Sequence, residues 1–192
     1  ISKWGHDFRP SYQSVIQKVF TLPQNFTIVA LTATATAEVQ QDIMSKLSIG
    51  QNDVVKTSTK RRNLIFKVNP TYQRQKFVVD YVANHEGQAG IIYCSTRKQV
   101  EELHEALNNE KIKSTIYHAG LTNKERIEAQ NDFLYDRVEV VIATNAFGMG
   151  IDKSNVRYVI HYNMPGDLES YYQEAGRGGR DGLKSECILC LL

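Results

Sequence analysis

The stretch Gly90-Ile-Ile-Tyr-Cys-Ser-Thr-Arg97 opens a strand–helix–strand unit that decides the fold class. Its first residues form a short apolar run rich in β-branched side chains, which is typical of a strand buried in a parallel sheet. A helical repeat over Arg97–Asn108 follows, and a second strand-like run comes at Ser114–Tyr117. This alternation predicts parallel strands joined by a helical crossover.

The same alternation extends outward over most of the chain. Thr96-x-x-Gln99 and Thr122-x-x-Glu125 have the form of capping boxes, which predicts helix starts at both places. We therefore predict an α/β fold in which helices flank a parallel sheet. The candidate strands are Thr27–Leu31, Val54–Thr57, Leu64–Val68, Gly90–Cys94, Ser114–Tyr117, Val138–Ala143, Tyr158–His161 and Glu186–Leu191. The candidate helices are Ala37–Leu47, Lys76–Asn84, Arg97–Asn108, Lys124–Leu134 and Leu168–Ala175.

A charged stretch without periodicity, Lys60-Arg-Arg62, predicts a linker near residues 58–63. Residues 1–60 are too few and too poor in strands for a whole α/β domain, whereas residues 61–192 match one ordinary domain. The chain starts at Ile1 instead of Met and stops within an apolar run. We therefore expect a piece of a longer protein that holds the end of one domain and the whole of a second.

The bulk composition places few limits on function. A net charge of +2 does not by itself indicate nucleic-acid binding, so any basic surface must be local. Three cysteines without a signal peptide favour a reducing compartment, and no apolar run is long enough to span a membrane. Cys187-x-x-Cys190 has a zinc or redox spacing, but it lies in a buried-strand pattern with no second Cys or His pair after it. We therefore predict no metal site.

Polar side chains follow several predicted strands at the point where each strand ends. Because parallel α/β sheets bind ligands at the carboxyl ends of their strands, these side chains and two free helix N-termini are predicted to form a phosphate-binding surface. The alternative is that Ser95, Thr96 and Thr122 only cap helices and that His118 is an ordinary turn or core histidine. The residues of this predicted surface, the polar sheet edge, are Ser95, Thr96, Arg97, His118 and Thr144.

The segment Tyr171-Tyr-Gln-Glu-Ala-Gly-Arg-Gly-Gly-Arg-Asp-Gly182 sets two arginines among glycines. Read with a helical period, Gln173, Arg177 and Arg180 fall on one face, where they suit an approaching polyanion. Arginine fits this role because its planar fork stays charged and pairs with two phosphate oxygens at once. The alternative is a solvated helix end broken by glycine. A dinucleotide-binding fingerprint is excluded, because these glycines follow a helical run instead of a strand.

Two further segments carry candidate contacts. In Thr144-Asn-Ala-Phe-Gly-Met-Gly-Ile-Asp-Lys153, the glycines allow a tight backbone path and Asp152 can accept hydrogen bonds from sugar hydroxyls. In Trp4-Gly-His-Asp-Phe-Arg-Pro10, the aromatic side chains offer flat faces for stacking bases and the arginine adds charge. The alternative for this second segment is the buried face of a helix, which its glycine and proline interrupt.

In their order along the chain, these segments resemble the motifs of the RecQ family of superfamily 2 DNA helicases. The resemblance covers nearly the whole chain. The matching segments are Trp4–Pro10 (aromatic-rich loop), Ala30-Leu-Thr-Ala-Thr-Ala35 (motif III), Gly90–Arg97 (motif IV), Tyr117-His-Ala-Gly-Leu121 (the next motif), Thr144–Lys153 (motif V) and Tyr171–Gly182 (motif VI). Lys3, Arg62 and Gly178 depart from the family, which usually carries glutamine, proline and alanine there. The absent proline leaves the conformation of the linker open, and Gly178 removes only a methyl group.

The resemblance implies a RecA-like fold, with residues 1–60 as the C-terminal part of a first RecA-like domain and residues 61–192 as the second. It implies an ATP-dependent DNA helicase of repair and recombination that moves 3′ to 5′ on single-stranded DNA. The family's phosphate loop and Asp-Glu-Ala-His segment, which hold ATP and Mg²⁺, lie upstream of Ile1 and are absent from this sequence. The chain alone is therefore expected to bind no cofactor tightly and to be inactive.

The resemblance also implies partners and residue roles. Partners would be ATP, single-stranded DNA and duplex/single-strand junctions, with a single-stranded-DNA-binding protein as a further candidate and no membrane. The form of Phe8-Arg-Pro10 favours a bacterial cytoplasmic, nucleoid-associated protein over a nuclear one. Arg180, as an arginine finger, and Arg177 would be catalytic. The nucleotide contacts would be Gln173, Arg177, Arg180, Gly150 and Asp152; the DNA contacts would be Trp4, His6, Phe8, Arg9 and the polar sheet edge; the coupling residues would be Thr32 and Thr34.

Three other functions remain open. An RNA helicase of the DEAD-box type is one, although Trp4–Pro10 argues against it. A non-catalytic RecA-like module that binds nucleic acid is another, although the presence of both Arg177 and Arg180 favours catalysis. A redox role for Cys187 and Cys190 has the least support.

Overall fold

A computed structural model of the chain describes residues 18–22, 26–32, 37–56, 60–148 and 151–191. The chain divides into two compact units, Ile1–Lys60 and Arg61–Leu192. The assignment of these units to a first and a second helicase domain stays a prediction. Among the described residues, no helix combines the length and the apolar character that crossing a membrane requires.

The first unit holds one of its three predicted elements. Helix α1 spans Ala37–Leu47, as predicted, and a short 3-10 helix spans Gln51–Asp53. The two predicted strands are wrong, because the described residues 26–32 and 54–56 carry no strand. Val29 and Leu31 are 72% and 92% exposed. An apolar, β-branched run becomes a strand only where a neighbouring strand takes up its backbone hydrogen bonds.

The second unit follows the predicted alternation of strands and helices. Each strand and helix predicted after residue 63 is present, with its ends shifted by at most two residues. The elements are β1 (Leu64–Pro70), α2 (Arg74–Ala83), β2 (Ala89–Tyr93), α3 (Arg97–Asn109), β3 (Ser114–Tyr117), α4 (Asn123–Leu134), β4 (Val140–Ala143), β5 (Val156–His161), α5 (Leu168–Ala175) and β6 (Ser185–Leu191). The strands form a six-stranded parallel sheet in the order β1-β6-β5-β2-β4-β3.

Helices cover both faces of this sheet. Ile92 of β2 belongs to a buried cluster with side chains of α2 and α3, including Val78 and Leu103. The neighbouring Ile91 belongs to a second cluster that contains Phe133 of α4. Because successive side chains of a strand point to opposite faces, a strand buried on both faces reads as a continuous apolar run.

One glycine is required by the close packing of two strands. Gly90 of β2 pairs with Tyr158 of β5, and a Cβ atom added to it would lie 1.9 Å from the tyrosine ring. Any larger side chain would displace this buried ring. Strand β2, which begins the stretch that predicts the fold, therefore also depends on packing against Tyr158, a residue far along the chain.

Candidate nucleotide and nucleic-acid interface

The two arginines of the predicted helical face lie beyond the end of helix α5. This helix ends before Gly176, its C-cap, and residues 176–182 form turns. We call these residues the arginine loop. The prediction that Arg177 and Arg180 share a helical face with Gln173 is therefore wrong. The physical reason is that each glycine costs about 1 kcal/mol in a helix relative to alanine, and Gly176, Gly178 and Gly179 all fall where the helix would continue.

Both arginines instead contact the loop between β4 and β5. Arg177 donates a hydrogen bond from Nη1 to the carbonyl oxygen of Gly148 at 2.6 Å. Arg180 donates from Nη1 to Asp152 Oδ1 at 2.7 Å and to the carbonyl oxygen of Ile151 at 3.2 Å. The structure thus brings together three of the predicted nucleotide contacts, although they come from two segments of the chain.

The contact between Arg180 and Asp152 is open to solvent. The Asp152 side chain is 87% exposed and the Arg180 side chain is 36% exposed. Exposed ion pairs contribute about 0–1 kcal/mol, so Arg180 can exchange this carboxylate for a phosphate at little cost. Gln173 lies on α5, where its Nε2 atom is 3.4 Å from Glu169 Oε1. Gly150 lies outside the described residues.

A buried polar network lies behind Arg177. The Tyr93 hydroxyl donates to the carbonyl oxygen of Phe147 at 3.0 Å, and the Tyr93 ring stacks on His161 with 5.4 Å between centroids. His161 Nε2 lies 3.0 Å from Glu174 Oε2 on α5. Burial raises the pKa of the Tyr93 phenol, although the charge of Arg177 acts in the opposite direction, so the phenol keeps its proton and can donate.

Sequence reasoning missed this network. The signal that could have found it is a polar aromatic residue at the last position of each of two buried strands, Tyr93 in β2 and His161 in β5. Buried polar groups need partners, so these residues indicate a contact beyond the strand ends.

The structure places the residues of the polar sheet edge at the ends of β2, β3 and β4. Thr144 donates its backbone N–H to the carbonyl oxygen of Tyr117 at 3.1 Å, which ties the ends of β3 and β4 together. Ser95, Thr96 and Arg97 are exposed, and Thr144 is half-buried. Hydroxyl groups and one cation thus face solvent at one edge of the sheet, while their contact with DNA stays a prediction.

His118 differs from the other residues of this edge because its side chain is only 5% exposed. Its Nδ1 atom accepts a hydrogen bond from the backbone N–H of Gly120 at 3.2 Å, and its Nε2 atom lies 3.6 Å from Glu101 Oε1. The ring therefore organises the turn after β3 instead of facing solvent, as the turn-histidine alternative has it. A Cβ atom on Gly120 would lie 2.9 Å from Arg97 Nη1, so Arg97 lies over this turn.

The two helix N-termini at this edge are not free. Thr96 Oγ1 accepts a hydrogen bond from Gln99 N at 3.2 Å, which forms one half of the predicted capping box at the start of α3. The box at the start of α4 is complete, and hydrogen bonds from Thr122 hold the pKa of Glu125 below its usual value. The charged Glu125 makes the start of α4 unfavourable for a phosphate, so α3 is the better of the two sites.

Other predicted site residues lie outside the described residues. These are Trp4, His6, Phe8, Arg9 and Thr34. Thr32 is described and exposed, but the strand predicted before it is absent.

The cysteine pair of β6 has the properties of buried packing residues. Burial raises the pKa of the Cys187 thiol to about 12 and that of Cys190 to about 11. Thiols with such pKa values stay protonated at neutral pH, and the thiolate is the form that reacts and binds metals. Within the described part of the chain, no group of three or more His, Cys, Asp or Glu side chains is placed to hold a metal ion.

Comparisons with known proteins agree with the motifs. The family of helicase conserved C-terminal domains matches residues 73–182. The ATP-dependent DNA helicase RecQ of Bacillus subtilis is 49% identical over 98% of this chain and 32% of its own length. The RecQ helicase of Haemophilus influenzae is 43% identical over 98% of this chain and 30% of its own length. The chain thus spans about a third of the length of these curated relatives, and the resemblance to the RecQ family is confirmed.

A solved structure shares the fold. Saccharomyces cerevisiae Dbp5, bound to RNA and ADP BeF3, aligns with a TM-score of 0.72 at 23% identity, over 98% of this chain and 51% of that one. This similarity, together with the parallel sheet between two layers of helices, confirms the predicted α/β, RecA-like fold class.

Proposed function

Because the chain belongs to the family of helicase conserved C-terminal domains, we propose that it is part of an ATP-dependent DNA helicase of RecQ type. Residues 61–192 would be the second RecA-like domain and residues 1–60 the end of the first. ATP hydrolysis would move the enzyme 3′ to 5′ on single-stranded DNA. The pathway would be repair or recombination, and the location bacterial and cytoplasmic.

The observation that carries this proposal is the joint position of the arginine loop and the loop between β4 and β5. Arg177 is half-buried and bound to the Gly148 carbonyl, so its guanidinium group is held in place. Arg180 is held only by a solvent-exposed ion pair with Asp152 and a bond to a backbone carbonyl, so it can leave these partners and turn toward a phosphate. We assign Arg180 the role of an arginine finger that stabilises charge on a transferred phosphoryl group. Asp152 would accept hydrogen bonds from the ribose, with Gln173 and Gly150 as further nucleotide contacts.

These residues fit the phosphate-facing side of a nucleotide, because two guanidinium groups and an exposed carboxylate occur together. The chain contains no Gly-x-x-x-x-Gly-Lys-[Ser/Thr] segment. In the full-length protein, a phosphate loop and carboxylates that precede this chain would therefore hold ATP, with Mg²⁺ to neutralise charge on its phosphates. The chain's own contribution would be the arginines, which complete the site.

The polar sheet edge would bind the phosphates of single-stranded DNA through Ser95, Thr96, Arg97 and Thr144. His118 would act there by shaping the turn that Arg97 covers. The other DNA contacts would come from the aromatic-rich loop, through Trp4, His6, Phe8 and Arg9. Thr32 and Thr34 would couple DNA binding at this loop to the nucleotide site. A single-stranded-DNA-binding protein is a candidate partner.

Hydrolysis and unwinding assays of the full-length protein test this proposal. We expect ATP hydrolysis to rise with single-stranded DNA far more than with RNA of the same sequence. We also expect unwinding of duplexes with a 3′ tail but not of duplexes with a 5′ tail. Stimulation by RNA alone would support the DEAD-box alternative, and a protein without any nucleic-acid-stimulated hydrolysis would support the non-catalytic module.

A further inference from the structure

Arg61, which the sequence places in a linker, is bound to the arginine loop. Its Nη1 atom donates to the carbonyl oxygen of Gly176 at 3.2 Å. Its Nη2 atom donates to the carbonyl oxygens of Gly178 at 2.9 Å and Gly179 at 2.7 Å. These three carbonyl groups stand directly before Arg177, directly after it, and directly before Arg180. One guanidinium group thus holds the backbone on both sides of one arginine and next to the other.

The need for this contact follows from the end of helix α5. The carbonyl groups that Arg61 binds lie beyond the last helical residue, Ala175, in turns that form no regular ladder. Gly178 and Gly179 are buried, so their carbonyl oxygens need donors from the protein. A positive charge is favoured at this end of a helix by its dipole. Arg61 supplies the charge and a donor to each of these carbonyl groups, and the Gly179 carbonyl also accepts from Gly182 N at 3.0 Å.

Asn63 adds a second hold on the same loop. Its Nδ2 atom donates to the carbonyl oxygens of Gly179 at 2.7 Å and Leu183 at 2.9 Å. Its Oδ1 atom accepts from Arg61 Nε at 3.4 Å, which joins the two side chains. The neighbouring Arg62 is exposed.

We infer that Arg61, supported by Asn63, is a positioning residue that sets the two arginines of the loop for phosphoryl transfer. The inference rests on the proposed function, because it assigns Arg61 a role in the same reaction. Arg61 acts through the backbone of the loop and does not itself reach the nucleotide. Its loss would leave both arginines present but free to take up other positions.

The test compares three variants of the full-length protein with the wild type. For Arg61→Ala we expect kcat of DNA-stimulated ATP hydrolysis to fall by about ten- to a hundredfold, the size that a misplaced catalytic group produces. We expect KM for ATP and the Kd for single-stranded DNA to change by less than about threefold, since the loss concerns the transition state. Arg61→Lys should lose part of the activity, because an ammonium group cannot reproduce the planar fork over three carbonyl groups. Arg62→Ala is the matched control, and we expect wild-type kinetics from it.

Hydrogen exchange provides a readout that is independent of activity. We expect the amides of residues 176–182 to exchange faster in Arg61→Ala, while those of β5 stay protected. A role in packing alone would lower the melting temperature but leave kcat per folded molecule unchanged, and that result would overturn the inference. If Arg61→Ala does not fold, Arg61→Lys decides, and full activity with unchanged exchange in that variant would also overturn it. A wild type without ATP hydrolysis would contradict the proposed function, and the exchange rates would then decide the role of Arg61 by themselves.

Discussion

The arginine loop and the polar sheet edge differ in how many hydrogen bonds from distant side chains hold their backbone. At the sheet edge, backbone groups of neighbouring parallel strands bond to one another, as Thr144 N does with the Tyr117 carbonyl oxygen. The arginine loop also has backbone bonds, from Gly179 N and Asp181 N to carbonyl oxygens at and just before the start of β5, but side chains from outside it hold it as well: Arg61 and Asn63 bind its carbonyl groups, and Arg157 binds the carboxylate of its Asp181. A backbone ladder tolerates most side-chain changes, whereas the arginine loop also depends on a few individual side-chain donors. Substitutions far along the chain should therefore disturb the arginine loop more than the sheet edge.

The largest expected difference between the two surfaces concerns the isolated chain. In the proposed function the arginine loop acts with nucleotide-binding groups that this sequence lacks, so purified chain should hydrolyse no ATP above background, with or without single-stranded DNA. The sheet edge needs only its own strands, so the same sample should still bind single-stranded DNA weakly. A phosphate-release assay and a DNA-binding titration on one preparation check both. DNA-stimulated hydrolysis by the pure chain would mean that the arginine loop is not half of a shared site.

Two neighbouring glycines of the arginine loop should differ in their response to alanine. Gly179 has a φ of 53°, and an added Cβ atom would lie 2.4 Å from the carbonyl oxygen of Leu183. We expect Gly179→Ala to lower the free energy of unfolding by about 1–3 kcal/mol, the cost of an unfavourable backbone conformation. A Cβ atom on Gly178 would meet Ser185 Oγ at 2.4 Å, and that side chain can rotate away. Gly178→Ala should therefore cost clearly less in urea unfolding, and equal losses would contradict this description of the loop.

Removing single groups from the polar sheet edge should have smaller effects. We expect Arg97→Ala to weaken binding of single-stranded DNA and to reduce the slope of log K against log salt by roughly 0.7, the value for one phosphate contact. Thr144→Ala should weaken binding without changing the slope, because it removes no charge. Arg137→Ala, which removes an exposed arginine from the opposite end of β4, is the control. A wild-type affinity that does not vary with salt would show that this edge is not a phosphate surface.

The smallest expected effect concerns the ion pair between Arg157 and Asp181 of the arginine loop and its dependence on pH. Arg157 Nη2 donates to both carboxylate oxygens of Asp181 at 2.7 Å and holds the pKa of Asp181 below its ordinary value of 3.8. A lowered pKa stabilises the folded state above the unfolded pKa, and this stabilisation is lost as pH falls through the folded pKa. The Asp181→Asn variant should therefore have a slightly lower melting temperature than the wild type at pH 7. This difference in melting temperature should disappear as the pH falls below about 3.8. Thermal melts across this pH range check it, and a constant difference would contradict the ion pair.

Most of the second unit could be predicted because its signals are local. The strands and helices after residue 63 follow from runs and periods of a few residues, and Thr122 caps α4 as its capping box predicts. The end of α5 at Ala175 was also predicted, but the continuation of its helical face to Arg180 was not correct. The glycines at positions 176, 178 and 179 end the helix, whereas the predicted helical face rested only on the spacing of Gln173, Arg177 and Arg180.

What could not be predicted depends on contacts between distant residues. The hydrogen bonds from Arg61 to the arginine loop span 115 to 118 residues, and no local pattern indicates them. No local pattern indicates the contact of His161 with Glu174 or the burial of His118 either. The strands predicted at Thr27–Leu31 and Val54–Thr57 are absent from the described residues 26–32 and 54–56 for a related reason, since a strand also requires a partner.

The most direct test of the account is the substitution of Arg180 in the full-length protein, with nucleotide binding and hydrolysis measured side by side. The proposed contact is made mainly in the transition state, so its loss should lower turnover and leave binding intact. We expect Arg180→Ala to bind a non-hydrolysable ATP analogue with nearly wild-type affinity while kcat falls by roughly a thousandfold, as is typical of arginine fingers. Arg137→Ala, which also removes an arginine from an exposed ion pair, should retain wild-type kcat. Hydrolysis by Arg180→Ala within a few-fold of the wild type would contradict the assignment and leave Arg177 as the catalytic arginine.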